Sequence, residues 1–285
     1  MDKNKKNVLI FGASGTGRRL YDEIHTVVNI IGWLDNSSEK WGTEIFGIPV
    51  LGNMDAVKKC TYDEIYIASL TGYDIIREQL LSVGVEPSKI NSSFVDVQVK
   101  ARINFLRDYA EKVVPERDAA VAEGGVFQGE FAKIINECFP TSALYLFDTF
   151  EGFDKRDVSV EAANNFSIEK ENHLNITSEG LVLSKLPHPE RAVIRKGYFP
   201  ETSEGLENLT FKFVNLDFDL YNPILAGLRF FYPRMIRGGV LLVHDYFNPG
   251  YKGVEQAVAD YEKECDIRLL KLPIGDHCSI AIVKE

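Results

Sequence analysis

The chain has 285 residues, a net charge of -10, 45% hydrophobic residues and 26% charged residues. This ordinary globular composition excludes disorder, collagen-like repeats and coiled coil as the main architecture. The acidity, without a concentrated basic patch, repels polyanions and argues against nucleic acid as a partner; Lys3, Lys5 and Lys6 read as a solvated end. Cys60, Cys138, Cys265 and Cys278 form no CxxC pair, which points to a reducing compartment. No apolar run approaches the roughly 20 residues of a membrane helix, and the opening residues lead into a strand, not a signal-peptide core. The expectation is a soluble, cytoplasmic protein with no membrane span, a homo-oligomer being left open.

Asn7–Gly12 is a short apolar run ending in glycine and reads as a buried parallel strand. Residues 17–29 carry Leu20, Ile24, Val27 and Val28 at helical spacing, and residues 30–34 form a second strand ending at Asp35. An extended piece follows at 47–52, a strand at 64–68 and a helix at about 73–83. Alternating strand and helix implies a parallel sheet with right-handed crossovers, here a small Rossmann-like unit. Residues 97–114 predict a connecting helix, with Ala101, Phe105, Leu106, Tyr109 and Val113 on one face and Pro115 ending it. The expected domains are 1–96 and 97–285.

The second half restarts with a strand at 119–122 ending at Glu123, a helix at 129–138 and a strand at 143–147 ending at Asp148. Residues 154–179 lack an apolar period and read as a lid or insert. Strands follow at 192–195, 211–216 and 239–243. The segments 267–272 and 279–283, joined by Gly275-Asp276, predict an antiparallel pair ending an otherwise parallel sheet.

In doubly wound sheets ligands sit at the carboxyl ends of the strands. There this half collects Glu123-Gly124-Gly125-Val126, then Asp148 25 residues after Glu123. The glycines allow close backbone approach and the helix start offers free amides. An acid at this spacing can accept from both hydroxyls of a ribose, although a tight turn with a helix cap explains the same residues. Asp217, Asp219, His244 and Asp245 end the next two strands. Such charges require solvation, hydrogen bonds or a cation, and the donor types suit Mg²⁺ or a similar divalent ion. The plainer reading makes Asp219 the cap of the helix near Asn222-Pro223, and Asp245 the cap of its own loop.

Phe131–Asn136, Leu144–Phe153, Lys196–Pro200, Leu216–Tyr221, Phe231–Arg234, Gly238–Val243 and Asp245-Tyr246 together resemble the macrocin O-methyltransferase family, in order and over some 180 residues from about Asn104. The resemblance implies a class I S-adenosylmethionine methyltransferase domain: a mostly parallel seven-stranded sheet with an antiparallel C-terminal strand. It implies methyl transfer to a sugar hydroxyl on a natural product, glycan or nucleotide-linked sugar, usually assisted by Mg²⁺. It puts Glu123, Gly124, Gly125 and Val126 beside the methionine and ribose of the cofactor, Asp148 on the ribose, and Thr149 and Phe150 near the adenosine. Asp217 falls on the metal-ligating acid and general base, and Asp245 on the second acid of an Asp-Asp-Tyr whose first acid is His244 here. Asp217, His244 and Asp245 are then the expected metal ligands, and Asp217 and His244 the expected catalytic residues; the alternative is His244 as base in a metal-free site. Tyr198, Tyr221 and Tyr246 either line a sugar pocket or pack in the core.

In the first half, Gly12-Ala-Ser-Gly-Thr-Gly17 departs from GxGxxG by Ser14 at the middle glycine, and Asp35 follows Gly12 by 23 residues. Gly12, Ser14, Gly15, Gly17 and Asp35 form a candidate nucleotide or nucleotide-sugar site. With Gly32–Asn36 and Gly47–Gly52, this stretch resembles the Rossmann-like N-terminal domains of polysaccharide-biosynthesis sugar acetyltransferases, some of which bind nucleotide sugars. A scaffold role and a nicotinamide site are the other readings. Rival functions for the whole chain are an N-methyltransferase, a nucleotide-sugar sensor with an inactive methyltransferase half, and an oxidoreductase.

Overall fold

The computed structural model describes residues 5–70, 72–114 and 118–285; Lys3 and Pro115 lie outside them. The chain divides into two compact units, Met1–Lys100 and Ala101–Glu285.

The first unit runs β1 (Asn7–Phe11), α1 (Gly15–Ile24), β2 (Asn29–Leu34), β3 (Glu44–Ile45), β4 (Ile48–Gly52), α2 (Met54–Val57), β5 (Glu64–Ile67), α3 (Tyr73–Ser82) and β6 (Ile90–Asn91). Its six strands lie in the order β3-β4-β2-β1-β5-β6, parallel except for the β3–β4 pair. Val8, Leu9 and Ile10 are fully buried, which is why β1 reads as one apolar run. The helix α1 starts two residues before the expected position and ends five before it. Val27 lies beyond its end and is exposed.

The helix α4 (Ser93–Asp108) crosses the boundary between the units and closes in a π-helical turn at Tyr109–Val113. That turn explains a departure from the expected face: Tyr109 is buried, donating its hydroxyl to the Lys212 and Gly238 carbonyls, while Val113 is exposed. One extra residue per turn rotates whatever follows away from the stripe.

The second unit continues with β7 (Ala120–Gly124), α5 (Glu130–Cys138), β8 (Leu144–Asp148), α6 (Lys155–Asn164), α7 (Glu179–Lys185), β9 (Ala192–Lys196), β10 (Phe211–Leu216), α8 (Tyr221–Phe231), β11 (Met235–Val243), α9 (Lys252–Cys265), β12 (Leu270–Pro273) and β13 (Ile280–Val283). The sheet order is β12-β13-β11-β10-β7-β8-β9, and only β13 runs against its neighbours. This is the mostly parallel seven-stranded sheet with an antiparallel C-terminal strand that the sequence resemblance implies. Strand β11 begins four residues before the expected position because Gly238, at φ 77°, accommodates an irregularity inside the strand instead of ending it. The expected lid at 154–179 contains a regular helix, α6, whose buried residues are Asp157 and Glu161. Its inward face is polar, so no apolar period announces it.

Strand order reverses between β7 and β10, and in such sheets a crevice opens beyond their carboxyl ends. Hydrophobic clusters on the two faces of the sheet hold these strand ends still, one around Phe147, Phe211 and Phe231, the other around Leu146, Phe213 and Leu242.

Candidate functional site

A cavity of about 320 Å³ opens at that crevice, within the size range of small-ligand sites. Of the residues singled out in the sequence, Glu123, Gly125, Val126, Asp148, Thr149 and Asp217 line it. Arg102, Asp157, Tyr198 and Asp219 line it as well. Its wall is markedly anionic, with Arg102 the one Lys or Arg among the lining residues.

The turn after β7 approaches the next strand end without room for a side chain. Gly125 has φ +80°, and a Cβ there would lie 2.0 Å from the Asp217 carbonyl oxygen. Asp148 fixes the same turn: Oδ2 accepts from the Val126 and Phe127 N–H groups, and Oδ1 from the Phe150 N–H. A carboxylate has about four acceptor positions, so one remains for a ligand. Accepting both hydroxyls of a ribose, as the sequence suggests, is therefore more than Asp148 can do without giving up a turn contact. The Phe150 side chain packs in the core and not on the cavity wall. Gly124 is likewise absent from the wall.

Glu123 is 1% exposed. Its Oε1 accepts from Asn215 Nδ2 at 2.8 Å, and its Oε2 is buried with no partner. Burial pushes its carboxyl up to about 8.

Asp217, Asp219, His244 and Asp245 do converge, with one candidate ligand atom from each within 4.8 Å of the others. Asp217 and Asp219 are on the cavity wall; His244 and Asp245 are not. His244 Nδ1 lies 2.9 Å from both Asp217 Oδ1 and Asp245 Oδ2, and Nε2 lies 3.3 Å from Cys278 Sγ. On the other side of Asp217, Arg102 donates to Oδ2 at 2.8 Å. Burial works against ionisation of Asp217, but Arg102 and His244 outweigh it and hold the carboxyl well below the usual range. Burial also opposes charge on His244, yet the two carboxylates win and its pKa is raised well above 6.5. His244 is thus held protonated, which fits it poorly for the role of resting base. Asp219 is pushed up, first by burial and then by Asp217 and Asp245.

The plainer reading fails for Asp219, since Leu220 is the residue before α8. For Asp245 it holds in part: one oxygen accepts from Asn248 of its own loop, while the other lies against His244. Among the tyrosines, Tyr198 lines the cavity and donates to Asp157. Tyr221 donates to Asp260, and Tyr246 packs against the core.

In the first unit, Asp35 repeats the device of Asp148: it accepts from the Ala13 N–H, the Ser37 N–H and Lys40 Nζ. Burial raises its pKa, and these three donors more than reverse that. Gly17 packs against the turn so closely that a Cβ would meet the Gly12 carbonyl oxygen at 1.9 Å. Ser14 precedes α1 without capping it through its side chain, and a Cβ on Gly15 would meet only open space.

Two families match successive parts of the chain. Residues 4–91 match the family described as C2185-like, N-terminal, and residues 91–276 match Macrocin-O-methyltransferase (TylF). The solved structure of the O-methyltransferase NovP is similar at 20% identity, covering 73% of this chain and 88% of that one with a TM-score of 0.52. CalS11, a calicheamicin methyltransferase, is similar at 16% identity, covering 75% and 88% with a TM-score of 0.50. No curated protein sequence matches the chain. The TylF match spans more than half of the chain and contains the whole cavity wall, so the chain belongs to the macrocin O-methyltransferase family and is a methyltransferase.

Proposed function

We propose that the second unit moves the methyl group of S-adenosylmethionine to a sugar hydroxyl, on a glycan, a nucleotide-linked sugar or a natural product. The observation that carries this reading is the anionic wall at the β7–β10 crevice of a macrocin O-methyltransferase chain. A sulfonium is attracted there, while the phosphates of a nicotinamide cofactor would be repelled. In this reading Glu123, Gly124, Gly125 and Val126 border the methionine and ribose. Asp148 takes one ribose hydroxyl in its remaining acceptor position, and Thr149 and the Phe150 backbone lie towards the adenosine.

Chemically, the sulfonium methyl needs little activation, and in-line positioning supplies roughly 7–11 kcal/mol of the barrier. As the C–O bond forms, the attacking hydroxyl becomes strongly acidic. Asp217, ionised on the cavity wall, can take that proton even though Arg102 and His244 weaken it as a base. The donor set of Asp217, Asp219, His244 and Asp245 fits a divalent cation such as Mg²⁺, and holding one requires His244 to give up its proton. When bound, the ion would orient vicinal hydroxyls and acidify the reacting one.

For the first unit we propose a nucleotide or nucleotide-sugar handle at Gly12, Ser14, Gly15, Gly17 and Asp35, supported by the uncapped start of α1. The four free cysteines support a cytoplasmic setting. Among the described residues, no helix is long and apolar enough to cross a membrane.

The test is transfer of labelled methyl from S-adenosylmethionine to a panel of free sugars, nucleotide sugars and amino sugars, with and without a chelator. Label on hydroxyls is expected. Label only on amines would favour N-methylation, and cofactor binding without transfer to any acceptor would favour a sensor.

A further inference from the structure

Strands β11 and β13 run antiparallel and end with Val243 opposite Ile280, so His244 and Cys278 leave the sheet at the same edge. Asp276 fixes the turn of the cysteine: Oδ1 accepts from the Cys278 and Ser279 N–H groups, and Oδ2 from the Ser279 hydroxyl. The Phe247 N–H donates to the Cys278 carbonyl and ties that turn to the loop carrying His244. Cys278 is 2% exposed, yet it belongs to neither hydrophobic cluster of the second unit. Its sulfur faces His244 Nε2 at 3.3 Å. One ligand atom each from His244, Asp245 and Cys278 lies within 4.8 Å of the others. Nitrogen and sulfur bound to one tetrahedral zinc ion stand about 3.6 Å apart, so this pair is already near that spacing.

We propose that His244 Nε2, Asp245 and Cys278 Sγ form a site for a borderline divalent ion of the Zn²⁺ class. None of the three lines the cavity, so the site lies behind its wall and is distinct from a cation held by the carboxylates there. The donors decide the ion. Mg²⁺ takes oxygen ligands and keeps its waters, whereas a thiolate beside an imidazole selects Zn²⁺ or Co²⁺. Three protein ligands with one open position is a coordination that Zn²⁺ accepts. A ligating histidine commonly donates its second ring N–H to a carboxylate, which fixes the tautomer, and here Nδ1 lies 2.9 Å from both Asp217 and Asp245. On binding, the thiol proton and any proton on Nε2 pass to solvent. Nδ1 keeps its hydrogen and goes on donating to Asp217. His244 then has no nitrogen left for an ion on the wall, which falls to the carboxylates alone. The proposal does not depend on the methyl-transfer reading; within that reading the ion acts as a positioning element for Asp217 and touches no substrate.

The experiment is titration of the chelator-treated full chain with Co²⁺, a spectroscopic stand-in for Zn²⁺, followed by absorbance. A cobalt–thiolate charge-transfer band is expected, saturating at one equivalent, abolished by Zn²⁺ and persisting in a large excess of Mg²⁺. Losing an outer partner of a metal ligand already costs about ten- to a hundredfold in affinity. Cys278→Ser removes a ligand itself, so it should erase the band and weaken Co²⁺ by at least about tenfold, with an unchanged circular dichroism spectrum certifying the fold. Should Cys278→Ser not fold, X-ray absorption of a zinc-loaded chain carrying Cys60→Ala, Cys138→Ala and Cys265→Ala reads the same ligand, because Cys278 is then its one thiol. A sulfur shell at about 2.3 Å is expected there. A zinc shell of nitrogen and oxygen alone overturns the proposal. So does a band that survives in Cys278→Ser, Co²⁺ bound without a band, displacement by Mg²⁺, or no uptake of Co²⁺.

Discussion

At Gly125 two strand ends meet with only a hydrogen atom between them. A methyl group there must be accommodated against the Asp217 carbonyl while the backbone keeps φ +80°. Gly125→Ala should cost about 2–5 kcal/mol, the sum of a left-handed residue and an overpacked contact, read as a lower urea midpoint. Asp217→Asn is a different kind of change, since it keeps the shape and removes the base. Transfer should fall by about 10²–10⁴-fold with S-adenosylhomocysteine binding retained, and wild-type turnover would remove Asp217 from the mechanism. Glu123 gives a pH signature. Its folded carboxyl is raised to about 8 from 4.5, so between those values the folded chain keeps a proton that the unfolded chain releases. Stability must then fall as pH rises through that window. His244, raised above 6.5, adds a slope of the same sign at higher pH, so the comparison that isolates Glu123 is wild type against Glu123→Gln. The variant should lose less stability than wild type between about pH 5 and pH 8; equal losses would mean that Glu123 is ionised in the ligand-free fold.

The helix α6 is held by carboxylates where most helices are held by apolar side chains. Asp157 accepts from the Tyr198 hydroxyl and Asn222 Nδ2, and Glu161 accepts from the Tyr221 N–H at the start of α8. A negative group at a helix start is favourable on two counts, an orphan donor satisfied and a dipole opposed. Glu161→Ala leaves that donor orphaned and should cost about 1–3 kcal/mol, with faster amide exchange across Lys155–Asn164. Glu161→Gln, which retains a carbonyl acceptor, should restore most of the loss; if it does not, charge and not the hydrogen bond holds α6. The same element shows what hydrophobic pattern can announce. Strands such as β1 and β10 are buried on both faces and read directly as apolar runs, whereas a helix docked through Asp157 and Glu161 carries no apolar stripe and was legible only as a polar insert. Arg102 was illegible for a related reason: its partner Asp217 is 115 residues away, and nothing local marks a helical arginine as half of a site. The strand-end acids were legible because a strand's end fixes where its next side chain can be. Their occupancy was not, because two of the three N–H groups that fill Asp148, those of Val126 and Phe127, belong to a different turn.

For the whole molecule, the arrangement of apolar side chains suggests two cooperative units. One pair of hydrophobic clusters lies entirely within Met1–Lys100, around Leu9, Ile65, Trp33 and Leu20, and another pair entirely within Ala101–Glu285. Cooperativity follows shared burial, so each unit should melt on its own terms and a single unfolding free energy is undefined for the chain. A ligand acts only on the unit whose native state binds it. At a hundredfold excess over its dissociation constant, S-adenosylhomocysteine should add about 2.7 kcal/mol to the second unit, a shift of about 5–10 °C for a domain of this size. Scanning calorimetry should then show two transitions, one moved by S-adenosylhomocysteine and one not, and the unmoved transition becomes the assay for the first unit. A nucleotide sugar that raises it would establish the handle proposed at Asp35, because stabilisation requires binding to the folded unit whatever the catalytic half is doing. A single transition raised by either ligand would mean instead that the two cores unfold together, and that binding in one unit is felt by the other.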